Sequence, residues 1–238
     1  MTPKKFLDAE WRKLIMANYL VEPALLQPYI PAKTEPDTWQ GNTYISLVGF
    51  MFRETKVMGI KVPYHINFPE VNLRFYVRYK ENNEYKRGVV FIKEIVPKPA
   101  ISYIANTLFH ERYVTLPMKH HTHLNDNRLH VGYQWKHKKR WNSLEVVAGK
   151  EGLSLAGGSE EEFITEHFWG YSAINKNKTG EYKVAHPRWE IYPVQQYSIN
   201  CNFGELYGSD FTILSDQTPC SVFLAEGSPI SVYQKRVI

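Results

Sequence analysis

The clearest two-residue period in the chain runs through residues 70–80, EVNLRFYVRYK. Val71, Leu73, Phe75, Val77 and Tyr79 fall on one face of the strand this pattern predicts, and Glu70, Asn72, Arg74, Tyr76 and Arg78 on the other. ENNE (81–84) reads as a turn, and YKRGVVFIKEIV (85–96) as the return strand of a hairpin. NTYISLVGFMF (42–52), RLHVGYQWK (128–136) and SLEVVAG (143–149) are further strands. The period changes after Pro99. Ile101, Ile104, Ala105, Leu108 and Phe109 follow helical spacing, with a proline marking the start.

The first 20 residues, with Phe6, Trp11, Leu14 and Ile15, fit a helix, and VEPALLQPYIP (21–31) a short proline-punctuated helix ending at Pro31. Ser159, followed by Glu160, Glu161 and Glu162, is a helix N-cap with acidic residues in its first turn. The last 55 residues return to short strand-like runs broken by Pro and Gly. Without repeats or linker-like tracts, the pattern predicts one α+β domain over residues 1–238, rich in strands, with two or three helices.

Composition sharpens this. With 43% apolar residues, including 16 tyrosines and 6 tryptophans, the chain can bury a core and favours strands and lined pockets over a helical bundle. Cys201 and Cys220 offer neither a disulfide framework nor a zinc site, and fit a reducing compartment. No stretch approaches the roughly 18 uncharged residues of a membrane span. MTPKKFLDAEW carries charge where a secretory leader is apolar, so a cytoplasmic location is expected. The net charge of +5 is densest in KHKKR (Lys136 to Arg140), between Trp135 and Trp141. Such a run can bind single-stranded nucleic acid through phosphates and stacking. A solvated hairpin end is the simpler reading, and nucleic acid is not expected as a partner.

Candidate chemistry is sparse. On a strand His121 and His123 would share a face and His120 would point away, and no HExxH or cysteine pattern joins them, so they read as exposed loop histidines and no metal is expected. There is no GxSxG elbow and no phosphate-binding glycine loop. The polar row Glu70, Asn72, Arg74 and Tyr76 either lines a cavity, where Arg74 would orient a small polar ligand, or faces water. Lys119 would act as an amine nucleophile only where burial or a second cation lowers its pKa.

Taken in order, NYLVEPALLQPYIP, GNTYISLVGF, FPEVNLRFYVR, RGVVFIKEIV, FHERYVTLPM, EEFITEHFWGY and VAHPRWEIYPV resemble the uncharacterised YqjF-like family, related in fold to acetoacetate decarboxylase. The E-x-N-x-R-x-Y strand and HPRW carry most of the likeness, which runs from about residue 11 to residue 200. It implies an acetoacetate-decarboxylase-like α+β domain, a mainly antiparallel barrel-like sheet with a few flanking helices around an apolar pocket. In the decarboxylases a lysine directly after a proline forms a Schiff base with the substrate. That position falls here on Met118, followed by Lys119; Glu70 matches a carboxylate and Arg12 a substrate-binding arginine. Methionine cannot form an imine, so the resemblance does not carry the decarboxylase reaction. His186 and Trp189 enter as pocket or framework residues. The expectation is a pocket for a small organic acid or carbonyl compound, lined by Glu70, Asn72, Arg74, Tyr76, Met118 and Arg12, with Lys119 and Glu70 the catalytic candidates. No cofactor is expected, and oligomerisation is left open.

Overall fold

The computed structural model describes residues 4–238. Strand β1 (Lys5–Leu20) opens the chain, followed by α1 (Pro23–Leu26), β2 (Glu35–Pro36) and β3 (Tyr44–Val57). The hairpin β4 (Phe68–Glu81) and β5 (Glu84–Val96) comes next, turning at Asn82 and Asn83, both in the left-handed region where asparagine is tolerated. Helix α2 (Pro99–Ile104) runs into a wider π turn over 105–109 and ends at His110, with φ 58°. Strands β6 (Tyr113–Thr115), β7 (Met118–Asn125), β8 (Arg128–His137), β9 (Arg140–Gly149) and β10 (Leu153–Ser154) lead to α3 (Glu160–Thr165). The remainder comprises β11 (Trp169–Asn175), β12 (Lys178–Ala185), β13 (Glu190–Tyr192), β14 (Val194–Asn200), α4 (Phe203–Tyr207), β15 (Ser221–Tyr233) and β16 (Arg236–Val237).

Twelve strands form one mixed sheet whose central path is β13-β15-β1-β3-β4-β5-β11-β12. Val184 and Ala185 of β12 also pair with Val232 and Ser231 of β15, so the sheet curls back toward its start and is barrel-like. The antiparallel sheet β14-β9-β8-β7 covers its outer face. Val71, Leu73, Phe75 and Val77 of β4 pack outward in one core with Tyr133, Trp135 and Leu144 of that second sheet. Gly49 marks the closest approach: a Cβ there would lie 2.7 Å from the Tyr133 ring. Because the outer face is already covered, the polar face of β4 turns inward and not to water.

Over Lys5–Leu20 the chain is a strand, not the helix the spacing suggests; residues 1–3 of that expectation lie outside the described residues. The long apolar steps come from a bulge, not from helical turns. Lys13 has φ 55°, and the register against β3 slips by one between Arg12 and Ile15. Leu7, Ala9 and Trp11 therefore face the inner core before the bulge, and Leu14 and Met16 after it. Strand β15 is kinked at the same level, at Gly227 (φ 80°), so the β1–β15 ladder stays paired from Leu7 to Asn18.

The proline-started helix forms as expected, although Leu108 of its stripe is 49% exposed. Ser159 caps α3, its Oγ accepting from the Glu162 N–H at 3.2 Å. The histidines lie on strand β7, not in a loop. The rings of His121 and His123 are 5.5 Å apart, and His123 stacks on His130 at 4.9 Å. Both cysteines are free thiols. Among the described residues no helix is long and apolar enough to cross a membrane.

Candidate functional site

The inner face of the curled sheet lines a partly open cavity of about 130 Å³. Its walls are mostly apolar, with Trp11, Phe50, Phe52 and Phe91 from the strands, Trp189 from the loop before β13, and Ile101, Ala105 and Phe109 from the helix and π turn. An engineered apolar cavity of about 150 Å³ takes up benzene, so the space suits a ligand of comparable size.

Strand alternation carries Glu70, Asn72 and Arg74 into this cavity from β4. All three are buried, Glu70 to 2% exposure. The Glu70 carboxylate accepts from Asn72 Nδ2 at 2.9 Å and from the Tyr113 hydroxyl at 3.0 Å. Burial pushes Glu70 up to about 7, against the pull of these two bonds and the Arg74 charge. Glu94 of β5 stands opposite Asn72, and Tyr113 of β6 opposite Glu94, so three adjacent strands present one polar row. Burial and the neighbouring Glu111 and Glu70 charges raise Glu94 well above the carboxylate range. Glu111 accepts from the Tyr182 hydroxyl at 2.8 Å and is pushed by burial up to about 8. Three carboxyls that hold protons near neutrality are thus gathered in one apolar cavity.

The other end of the cavity is basic. Arg74 Nη2 donates to the Ile164 carbonyl at 3.4 Å, and its guanidinium lies 5.7 Å from the Tyr76 ring centre. His167 rests against the same ring at 4.7 Å. Its Nε2 is 2.9 Å from Asp37 Oδ2, and burial lowers it to about 4. His186 also lines the cavity, stacked on Trp189 at 4.3 Å, and burial lowers it to about 4 as well. Trp189 is core, with its indole N–H donating to Ser228 Oγ at 2.8 Å.

Of the residues singled out from sequence, Glu70, Asn72, Arg74, His186 and Trp189 meet at the cavity. Tyr76 is buried beside it, its hydroxyl 2.7 Å from Ser46 Oγ in a chain that continues to Asn18. Met118, Lys119 and Arg12 are not brought there. Met118 is half-buried on β7 opposite Trp135, and Lys119 is exposed with its amine 4.8 Å from the Trp141 ring centre. Arg12 sits at the β1 bulge, bonded to Glu10 at 3.0 Å and 3.7 Å from Glu226. Among the described residues no lysine lines the cavity. The KHKKR run is the β8–β9 turn, with Trp135 fully buried beneath it.

Glu94, Glu111, Tyr113, Tyr182 and His167 were not singled out from sequence. Glu94 carried a readable signal: a carboxylate inside FIKEIV whose alternate neighbours, Ile92 and Val96, are apolar. A register shift between Leu73 and Arg74 against β5 hides which face it takes. Glu111 and His167 lie just outside regular elements, where no period assigns a face.

The curled sheet with its few flanking helices has the acetoacetate-decarboxylase-like fold. The chain belongs to the DUF2071 family, described as an uncharacterized conserved protein, which matches residues 8–229. It is 32% identical over 110 residues to the uncharacterized protein YqjF of Bacillus subtilis (strain 168). That match covers 46% of this chain and 44% of the relative, so the shared stretch spans less than half of either. Among solved structures, acetoacetate decarboxylase from Legionella pneumophila superposes with a TM-score of 0.66 at 11% identity, covering 99% of this chain and 88% of that one. An acetoacetate decarboxylase-like enzyme from Sphingomonas wittichii RW1 gives 0.69 at 11% identity, covering 99% and 94%. The enduracididine biosynthesis enzyme MppR complexed with pyruvate gives 0.68 at 9%, covering 100% and 91%. At these identities the likeness is one of fold.

Proposed function

We propose that the domain binds a small, largely apolar carbonyl compound or organic acid in the cavity, with Glu70, Glu94 and Glu111 available as proton donors and acceptors. One observation carries this reading. Among the described residues, ten buried side-chain polar atoms lack a partner within the protein. Five of them belong to residues that line this one cavity: Trp11 Nε1, Asn72 Oδ1, Arg74 Nε, Glu94 Oε2 and His167 Nδ1. Unsatisfied buried polar atoms are costly, and their gathering around an apolar space fits a ligand that supplies the missing bonds. A carbonyl oxygen would accept from Trp11 N–H or from a protonated Glu94, and the acid–base groups are then in place for proton transfer beside it. The pyruvate named with MppR is a small compound of this kind.

Amine catalysis is not supported by this arrangement, because Met118 and Lys119 lie away from the cavity. Nor is a nucleic-acid site at Lys136 to Arg140, because Trp135 offers no exposed face.

Cyclohexanone, a ketone of suitable size, tests the reading by methyl NMR titration. Saturable shifts confined to Leu14, Val89 and Ile101 are expected, and Ala105→Phe, which fills the space, should abolish them. Shifts elsewhere only, or none, would remove the cavity as the binding site.

A further inference from the structure

The histidine at the basic end of the cavity is set in one orientation by a group outside it. Asp37 is buried, and its backbone N–H donates to the Tyr76 carbonyl at 3.0 Å. Its Oδ2 accepts from Arg87 Nε at 2.6 Å and from His167 Nε2 at 2.9 Å. Burial alone would lift Asp37, but the bonds from His167 and Arg87 outweigh it and keep its carboxyl below the usual range. An ionised carboxylate only accepts, so the proton of the neutral His167 ring must sit on Nε2. Nδ1 is then a bare lone pair. It is buried, has no partner within the protein, and belongs to a residue that lines the cavity with a 7% exposed side chain and backbone together.

The same cavity holds the opposite need. Arg74 Nε is a buried N–H with no partner in the protein, and both groups rest on the Tyr76 ring. Within one cavity, that donor and that lone pair are both answered by a ligand oxygen that accepts from Arg74 and donates to His167. A hydroxyl does this. An ionised carboxylate answers Arg74 but sets its own lone pairs against Nδ1.

We propose that His167, oriented by Asp37, is a ligand-binding acceptor, and that the Arg74 end of the cavity selects a hydroxyl (an alcohol, a phenol or an enol) over an ionised carboxylate. This rests on the cavity being the ligand site and narrows what that ligand carries.

Phenol, toluene and benzoate separate the possibilities, since they share a ring and differ in the group presented. At pH 7 phenol should bind about tenfold more tightly than toluene and more tightly than benzoate. His167→Phe should keep toluene binding and erase the preference for phenol. In the unaltered protein, nitrogen-15 NMR of the histidine ring should show Nε2 protonated and Nδ1 bare, with Nδ1 shifting on addition of phenol but not of toluene. Equal affinity for phenol and toluene, tighter binding of benzoate, or a protonated Nδ1 would each overturn the assignment. Failure of both phenol and toluene while cyclohexanone binds would overturn it too and leave the cavity reading standing. Failure of all three would end both.

Discussion

Glu94 faces Asn72 directly across the β4–β5 ladder, while the Asn72 amide N–H is given to Glu70 on its own strand. Asn72 therefore stands between two buried carboxyls and donates to one of them. Glu94 Oε2, left without a partner, is the more costly group to ionise.

Stability should fall as pH rises. Carboxyls raised on folding bind protons in the native state that the unfolded chain has already lost, between the ordinary carboxylate range and about 7 for Glu70 or about 8 for Glu111. His167 and His186, lowered to about 4, act the other way, but only between there and the ordinary histidine value of about 6.5. Above that only the carboxyls remain, so the melting temperature should drop by several degrees between pH 6.5 and 8.5. Glu94→Gln should flatten that drop and raise stability at pH 8. A melting temperature that is flat or rises over this window would contradict the assignment.

Lys119 should not trap carbonyl compounds. Its side chain is exposed, lies along Trp141 and does not reach the cavity. Borohydride reduction in the presence of acetone or a β-keto acid, followed by peptide mass mapping, should leave Lys119 unmodified. A reduced adduct there would restore the amine mechanism.

Gly227 and Gly41 should respond differently to alanine, although both have φ 80°. A Cβ at Gly227 would meet the Trp11 carbonyl oxygen at 2.0 Å, whereas at Gly41 nothing lies within 4 Å. Gly41→Ala should cost about 1 kcal/mol for the backbone conformation alone, and Gly227→Ala at least about 3 kcal/mol. Chemical denaturation distinguishes them, and equal losses would show that the β15 kink relaxes freely.

Oligonucleotides should not bind at the β8–β9 turn. Trp135 is fully buried, the Lys119 amine lies 4.8 Å over the half-buried Trp141 ring, and Lys138 lies 3.6 Å from Glu205, so one flanking indole cannot stack, the other already carries a cation, and part of the run's charge is paired. Fluorescence anisotropy with single-stranded DNA at 150 mM salt should show no binding that depends on Lys136, Lys138 and Lys139.

The hairpin β4–β5, the proline-started helix and the Ser159 cap were legible because each rests on local rules: alternation, proline geometry and side-chain capping. Strand β1 was not. Its bulge lengthens the spacing between apolar residues, and its partners β3 and β15 come from distant parts of the chain. The polar row of β4 was visible in sequence, but its direction was decided by the second sheet covering the opposite face. The acid end of the cavity was the least legible. Glu94 on β5, Glu111 in the loop before β6 and Tyr182 on β12 come from separate segments, and only the curl of the sheet makes them neighbours.

The paired kinks at Lys13 and Gly227 work as a frameshift in the ladder. Upstream of Lys13 odd-numbered residues of β1 look inward, and downstream even-numbered ones do. Lys13 and Glu226 form an ion pair across the kink, with Tyr192 also bonded to Glu226, so the irregularity is clamped by side chains. Moving that clamp by one position along the strand would exchange which side chains line the enclosure while leaving the backbone course intact. The register of this one joint, and not residue identity alone, thus decides which β1 side chains line the chamber.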